Sequence, residues 1–182
     1  MATERGYLTI EPAQIDSLRQ LGVADILREL GIPKMRLPGL LSDGVKRLRG
    51  QVTALDLIDG MEALLKSTAD LPVIMGILTS NSVENVESFL KAHKLDGLFE
   101  FVSSTSRLNG KAKHIKSILR TFSLTPDRLL YIGDEIRDIK ASQKAGVDVA
   151  AVTWGFNAKE ALQRSNPTFL VETPGALSHL IE

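Results

Sequence analysis

The chain of 182 residues is long enough for one full domain with a small accessory piece, and its 43% hydrophobic residues can supply a core. Its 22 basic and 22 acidic residues cancel, so no global field favours a nucleic acid or an anionic membrane as partner. Cysteine is absent and apolar stretches such as residues 71–78 are far too short to span a membrane, which excludes disulfides and thiolate metal sites and predicts a soluble cytoplasmic protein.

The front third of the chain predicts short helices. Apolar residues recur at helical spacing in three runs, at about residues 15–21, 23–30 and 37–48. Glycines follow these runs at the points where a helix would end. We therefore expect a small helical segment over residues 1–52 and a separate core over residues 53–182.

Beyond residue 52, apolar runs of strand length alternate with amphipathic helices. The strand-like runs are residues 72–78, 99–103, 129–132 and 147–153, with a weaker one at 168–171. The helices between them are at about residues 59–66, 83–93, 111–122, 136–145 and 158–164. Continuous apolarity is typical of strands buried on both faces of a parallel sheet. The fold class is therefore α/β, with a Rossmann-like, doubly wound parallel sheet.

Polar side chains follow the first of these strands. Thr79, Ser80, Asn81 and Ser82 come directly after an apolar run and before the helix that begins near residue 83. Hydroxyl groups and free backbone N–H groups at the start of a helix can bind a phosphate. The alternative is a polar loop in which Ser82 caps the helix, and for this segment alone that interpretation is favoured.

A pair of carboxylates marks the end of a later strand. Asp134 follows Gly133 at the strand end, and Asp138 lies four residues on, in the first turn of the next helix. Paired oxygen ligands on a tight glycine turn suit a hard cation such as Mg²⁺. The alternative is that these acids only favour the positive end of the helix. We favour the metal site, because Gly133 lets the backbone turn where a carboxylate is presented.

Two lysines open the helix that begins near residue 111. Lys111 and Lys113 oppose the helix dipole at this end, and a bound phosphate would remove that cost. A lysine exposed to solvent is the commoner explanation for either residue. The sequence leaves open which lysine would bind phosphate.

In their order and spacing, these three features resemble the haloacid dehalogenase superfamily, and in particular its phosphoglycolate phosphatase-like branch. The resemblance implies a magnesium-dependent phosphatase that acts on a small phosphorylated metabolite through an aspartyl-phosphate. It assigns phosphate binding to Thr79, Ser80, Asn81 and Lys111, with catalytic roles for Thr79 and Lys111. It assigns Mg²⁺ binding to Asp134 and Asp138, and it makes residues 1–52 a cap segment. The substrate and the oligomeric state stay open.

One family motif is not found in the sequence. The nucleophile of this family lies in an Asp-x-Asp-Gly-Thr motif that ends the first, central strand, and the 182 residues do not contain that motif. The segment Asp56 to Gly60 comes closest, but its aspartates are three residues apart, so they diverge on a strand. We therefore expect activity only if the missing strand is supplied. The alternatives are a non-catalytic protein that binds phosphate or Mg²⁺ and, ranked last, a receiver-like signalling domain.

Overall fold

The structure, a computed structural model, describes residues 9–105 and 110–181 as an alternation of helices and parallel strands. No helix in this described part is both long and apolar enough to cross a membrane. The elements in chain order are α1 (Ile15–Arg19), α2 (Val23–Glu29), α3 (Leu37–Leu48), α4 (Met61–Ala69), β1 (Gly76–Thr79), α5 (Val83–Ala92), β2 (Phe101–Ser104), α6 (Lys111–Thr121), β3 (Leu130–Gly133), α7 (Ile136–Ala145), β4 (Asp148–Val152), α8 (Lys159–Arg164), β5 (Phe169–Val171) and α9 (Pro174–Ser178).

The α/β class and the parallel pairing are confirmed, but the strands form two sheets rather than one. β1 pairs with β2, and a separate sheet has the order β3-β4-β5, with every pairing parallel. The strand expected between those ending at Thr79 and Asp134 is not among the strands of residues 9–105 and 110–181, so no ladder joins β1 to β3. The sequence of residues 6–10 could add a short strand, although a loop is the preferred interpretation, and most of this segment lies outside the described residues.

The chain divides into two compact units. The first unit contains Met1–Gly39 and Ile115–Glu172, and the second contains Leu40–His114 and Thr173–Glu182. The two units are defined by which residues contact one another in space. The division into a cap segment up to residue 52 and a core beyond it concerns function and stays a prediction.

In the first unit, α7 and α8 cover the three-stranded sheet. Ile139 of α7, Leu162 of α8 and Val149 and Ala151 of β4 form a core in which each side chain is at most 1% exposed. Gly146 directly follows α7, and its φ of 81° is the left-handed conformation that terminates many helices. Here the backbone N–H of Val147 donates to the carbonyl oxygen of Ser142 over 3.1 Å. Both ends of this helix agree with the bounds predicted from the sequence.

In the second unit, α5 packs against β2 of the short sheet, and α4 packs against α9. The buried side chains Leu64 of α4 and Leu90 of α5 supply apolar surface, and Leu95 is fully buried after α5. β1 is shorter than the predicted run of residues 72–78, because its ladder with β2 begins only where Gly76 pairs with Phe101. A Cβ at Gly76 would overlap the Phe101 ring, so the glycine admits this aromatic neighbour.

Candidate active site

The polar residues after β1 form a tight hydrogen-bonded turn. The Thr79 Oγ1 accepts from the backbone N–H of Asn81 over 2.9 Å. The Asn81 Oδ1 accepts from the N–H of Ser82 over 2.9 Å, and the Ser82 Oγ accepts from the N–H of Asn85 over 3.2 Å. Ser82 therefore caps α5, as the alternative interpretation predicted, and the cap leaves Thr79 at the carboxyl end of β1.

A buried asparagine that the sequence analysis did not select holds this turn in place. Asn85 is 1% exposed, and its Nδ2 donates to the Asn81 Oδ1 over 2.9 Å and to the carbonyl oxygen of Val45 over 3.0 Å. Since Val45 lies in α3, the amide ties the loop after β1 to a helix 40 residues earlier. A pattern search could find Asn85 only as a polar residue at an inward-facing helical position.

The two candidate lysines differ in burial. Lys111 opens α6 and is only 7% exposed, whereas Lys113 is exposed. An ammonium group is rarely buried unless it has anionic or hydrogen-bonding partners, so burial distinguishes Lys111 from the exposed Lys113. Burial therefore favours Lys111 over Lys113 as the residue with a specific role.

Three carboxylates gather at the end of β3. Asp134, Glu135 and Asp138 each offer an oxygen, and these oxygens lie within 4.8 Å of one another. Opposite ligands of an octahedral Mg²⁺ ion are about 4.2 Å apart, so small movements would bring such a set onto one ion. Asp138 is 2% exposed, and Glu135 is paired with the Arg137 Nη2 over 2.6 Å. The donor chemistry and spacing of the three carboxylates fit a hard divalent cation.

Two glycines make room for these carboxylates. A Cβ at Gly133 would lie 2.6 Å from the Asp138 Oδ2 and 2.7 Å from the Asp138 Cβ. A Cβ at Gly155 would lie 2.5 Å from the Asp134 Cγ, with the Asp134 Oδ2 and Cβ closer still. Real Cβ atoms do not come this close to other heavy atoms, so both positions need glycine for steric reasons. The sequence identified Gly133 but gave no reason to select Gly155.

The loop between β4 and α8, residues 153–158, contributes hydrogen bonds to the acidic cluster. The backbone N–H of Phe156 donates to the Asp134 Oδ2 over 2.6 Å, and the N–H of Asn157 donates to the Asp134 carbonyl oxygen over 3.1 Å. The Asn157 Oδ1 accepts from the N–H of Ile136 over 3.0 Å and so caps α7. Phe156 is 22 residues from Asp134 in sequence, beyond the reach of motif spacing.

The acids also perturb their neighbours. Burial raises the pKa of the Tyr131 hydroxyl, and the negative charge of Asp138 raises it further, against the opposing effect of Arg137. Burial lowers the pKa of Arg137, but its hydrogen bond to Glu135 and the nearby Asp138 more than offset this, and the net shift is upward. The end of β3 is therefore a region of negative potential, as a cation site requires.

The sequence matches a family model over most of its length. Residues 1–152 match the model of the haloacid dehalogenase-like hydrolases. The chain is 32% identical over 176 residues to a phosphoglycolate phosphatase from Synechococcus elongatus. The alignment covers 97% of this chain and 83% of that protein. It is 27% identical over 123 residues to the pyrophosphatase PpaX of Bacillus cereus, covering 64% of this chain and 57% of that relative.

Solved structures with low sequence identity share the fold. A haloacid dehalogenase-like family hydrolase from Streptococcus pneumoniae superposes with a TM-score of 0.76 at 19% identity, covering 100% of this chain and 86% of that chain. A protein described as a predicted phosphatase from Clostridium acetobutylicum superposes with a TM-score of 0.81 at 18% identity, covering 98% and 85% of the two chains.

Proposed function

Since the chain belongs to the haloacid dehalogenase-like hydrolase family, we propose that it is a Mg²⁺-dependent phosphatase for a small phosphorylated metabolite. The names of two relatives, phosphoglycolate phosphatase and pyrophosphatase, support a phosphorylated substrate. The chain spans 57% of the length of PpaX.

The observation that carries the proposal is the acidic cluster at the end of β3. Asp134 and Asp138 would hold Mg²⁺, and both belong to the cluster whose ligand oxygens lie within 4.8 Å of one another. When bound, the ion would neutralise negative charge on the phosphoryl oxygens. The Phe156 N–H already occupies the Asp134 Oδ2, which favours binding through the other carboxylate oxygen alone. Mg²⁺ accepts such single-oxygen ligands in a compact octahedron, whereas Ca²⁺ often takes both oxygens of a carboxylate.

Thr79 and Lys111 are the proposed phosphoryl ligands, with help from Ser80 and Asn81. The Thr79 hydroxyl lies at the carboxyl end of a parallel strand, where ligands of open α/β sheets bind. The Lys111 side chain is largely buried, and a charge in such a position is less screened than at an exposed site. Donors of this kind stabilise charge as it develops on the transferred phosphoryl group.

The chemical step that the family resemblance implies needs two further aspartates. A carboxylate oxygen of the first attacks phosphorus, the bond from phosphorus to the leaving oxygen breaks, and the second aspartate gives that oxygen its proton. Water then hydrolyses the aspartyl-phosphate and releases inorganic phosphate. The Asp-x-Asp-Gly-Thr motif that would supply both residues is not in the 182 residues, so we propose turnover only when a strand with this motif is present.

The absence of that motif from the 182 residues also favours a second candidate function. The chain would then bind phosphate and Mg²⁺ without turnover, as a regulatory or binding protein. The two candidates share the acidic cluster and differ only in whether a nucleophile is available.

Phosphatase activity with and without Mg²⁺ tests both candidates. The chain itself is compared with a version extended upstream by a strand that ends in Asp-x-Asp-Gly-Thr, using p-nitrophenyl phosphate, phosphoglycolate and pyrophosphate. Mg²⁺-dependent turnover by the extended version alone supports the first candidate. If neither version turns over any of the three while calorimetry detects Mg²⁺ or inorganic phosphate binding, the second is supported. Turnover by the 182-residue chain alone would exclude the binding-only function and the need for the added strand.

A further inference from the structure

A fully buried amide joins the acidic cluster to the front of the chain. The Asn157 side chain is 1% exposed, and its Oδ1 accepts from the N–H of Ile136. Its Nδ2 donates to the carbonyl oxygens of Arg19 and Leu21, at 2.9 Å each. Both donor hydrogens of the amide nitrogen are therefore used, as a buried polar group requires. Few substitutions could satisfy these three partners at once.

Arg19 holds the same loop through its own side chain. Its Nε donates to the carbonyl oxygen of Phe156 over 3.1 Å, and its Nη2 donates to that of Gly155 over 2.8 Å. The backbone N–H of Ala158 completes the connection by donating to the Arg19 carbonyl oxygen over 2.9 Å. The junction between α1 and α2, residues 19–21, thus contacts most of the β4–α8 loop.

The loop that this junction holds is the one that orients Asp134. The N–H of Phe156 fixes the Asp134 carboxylate, while the N–H of Asn157 fixes its carbonyl oxygen. The Asn157 side chain fixes the first turn of α7, only two residues after Asp134. Any shift of the α1–α2 junction must therefore displace hydrogen bonds that set the direction of a proposed metal ligand.

We infer that Asn157 is a positioning residue, which together with Arg19 fixes the Asp134 carboxylate from the α1–α2 junction. The inference rests on the proposed function only for its consequence, which is a change in Mg²⁺ affinity. Removing a partner that orients a metal ligand typically weakens metal binding by about 10-fold to 100-fold. The junction lies in the segment predicted to act as a cap, so a movement there would alter the metal site.

Two variants and two matched controls test the inference. Asn157→Asp keeps the size and the Oδ1 acceptor but replaces the donor that faces the Arg19 and Leu21 carbonyls with an oxygen. Arg19→Ala removes two hydrogen bonds from the loop and changes a side chain that is only partly buried. The control Gln143→Ala also removes two side-chain donations, to the carbonyl oxygens of Ser165 and Asn166. The control Arg164→Ala removes a hydrogen bond to Gln20, beside Arg19.

Amide hydrogen exchange of the metal-free proteins is the primary measurement, with the Ala150 amide in β4 as internal reference. We expect exchange at Phe156 and Ile136 to accelerate about tenfold or more relative to Ala150 in both variants, since local opening is a separate event from global unfolding. Both controls should stay within about twofold of the parent by the same reasoning. Unchanged relative exchange at Phe156 in both variants would overturn the inference.

Mg²⁺ titration, followed by calorimetry and by the emission of the single tryptophan, Trp154, is the second measurement. The dissociation constant should rise about 10-fold to 100-fold in the two variants and stay unchanged in the controls. If exchange accelerates as expected but the parent protein itself binds no Mg²⁺, the positioning role stands and the proposed metal function fails. Parent-like Mg²⁺ affinity in both variants would count against the positioning of a metal ligand.

Discussion

Replacing Gly155 by alanine should displace Asp134 and weaken divalent-cation binding. A Cβ at this position would lie 2.5 Å from the Asp134 Cγ, while ordinary van der Waals contact begins at 3.4 Å, so the carboxylate must move by at least about 0.9 Å. Rotation of the Asp134 side chain cannot relieve the overlap, because its Cβ lies closer still and is fixed by the backbone. The movement should break the hydrogen bond from the Phe156 N–H to the Asp134 Oδ2.

Two effects of known size follow from this displacement. Overpacking of a fitted site costs about 1–3 kcal/mol of unfolding free energy. For a chain of this length, that corresponds to a fall of roughly 2–12 °C in the melting temperature. If Asp134 is the metal ligand proposed above, its displacement by about 1 Å should weaken Mg²⁺ binding at least about tenfold, the size of effect seen when ligand orientation is lost.

Thermal unfolding without metal and calorimetric titration with Mg²⁺ measure the two effects separately. Gly44→Ala is the matched control, because a Cβ at Gly44 in α3 meets nothing within 4 Å. This control should be as stable as the parent or more stable, since alanine replaces glycine inside a helix. The steric argument is refuted if Gly155→Ala matches Gly44→Ala in both melting temperature and Mg²⁺ affinity.

Five further substitutions probe the site and its supports. Asp138→Asn, which keeps the size of the buried side chain, should abolish calorimetric Mg²⁺ binding while the circular dichroism spectrum stays unchanged. Lys111→Met should remove binding of inorganic phosphate, whereas Lys113→Met should retain it; equal losses would leave no special role for the buried lysine. Ser82→Ala removes the cap of α5 and should cost about 1 kcal/mol in urea unfolding. Gly146→Ala should cost about 1–2 kcal/mol in the same assay, because the φ of 81° at this position is strained for alanine. No neighbour would meet the added Cβ, so backbone strain alone accounts for the cost.

Local pattern was sufficient to predict most elements of the fold. The amphipathic period and the glycine that follows it defined both ends of α7, at Ile136 and Ala145. Strand ends were less accurate, since a ladder extends only as far as its partner allows. β1 begins at Gly76 because Phe101 begins β2, and neither the sequence of β1 nor its apolarity carries that information.

The acids and the phosphate-binding candidates could be selected because they lie close together in sequence. Asp134 and Asp138 are four residues apart, and Thr79 directly ends an apolar run. The groups that orient the acids could not be selected, because Arg19 is 136 residues from Gly155 and its side chain donates to backbone carbonyl oxygens. A backbone N–H such as that of Phe156 is present at nearly every position, so side-chain identity does not reveal it.

The residues Gly155, Phe156 and Asn157 explain why the acidic cluster needs more than its carboxylates. Gly155 leaves space for the Asp134 side chain, and the Phe156 N–H donates to the Asp134 Oδ2 in that space. Asn157 fixes the start of α7, two residues after Asp134. Each contribution depends on the other two, since a filled space would break the hydrogen bond and a free helix start would let the carboxylate turn away. A chain with Asp134 and Asp138 but without this loop would therefore present the same proposed metal ligands in no fixed direction, and we expect weaker cation binding from it.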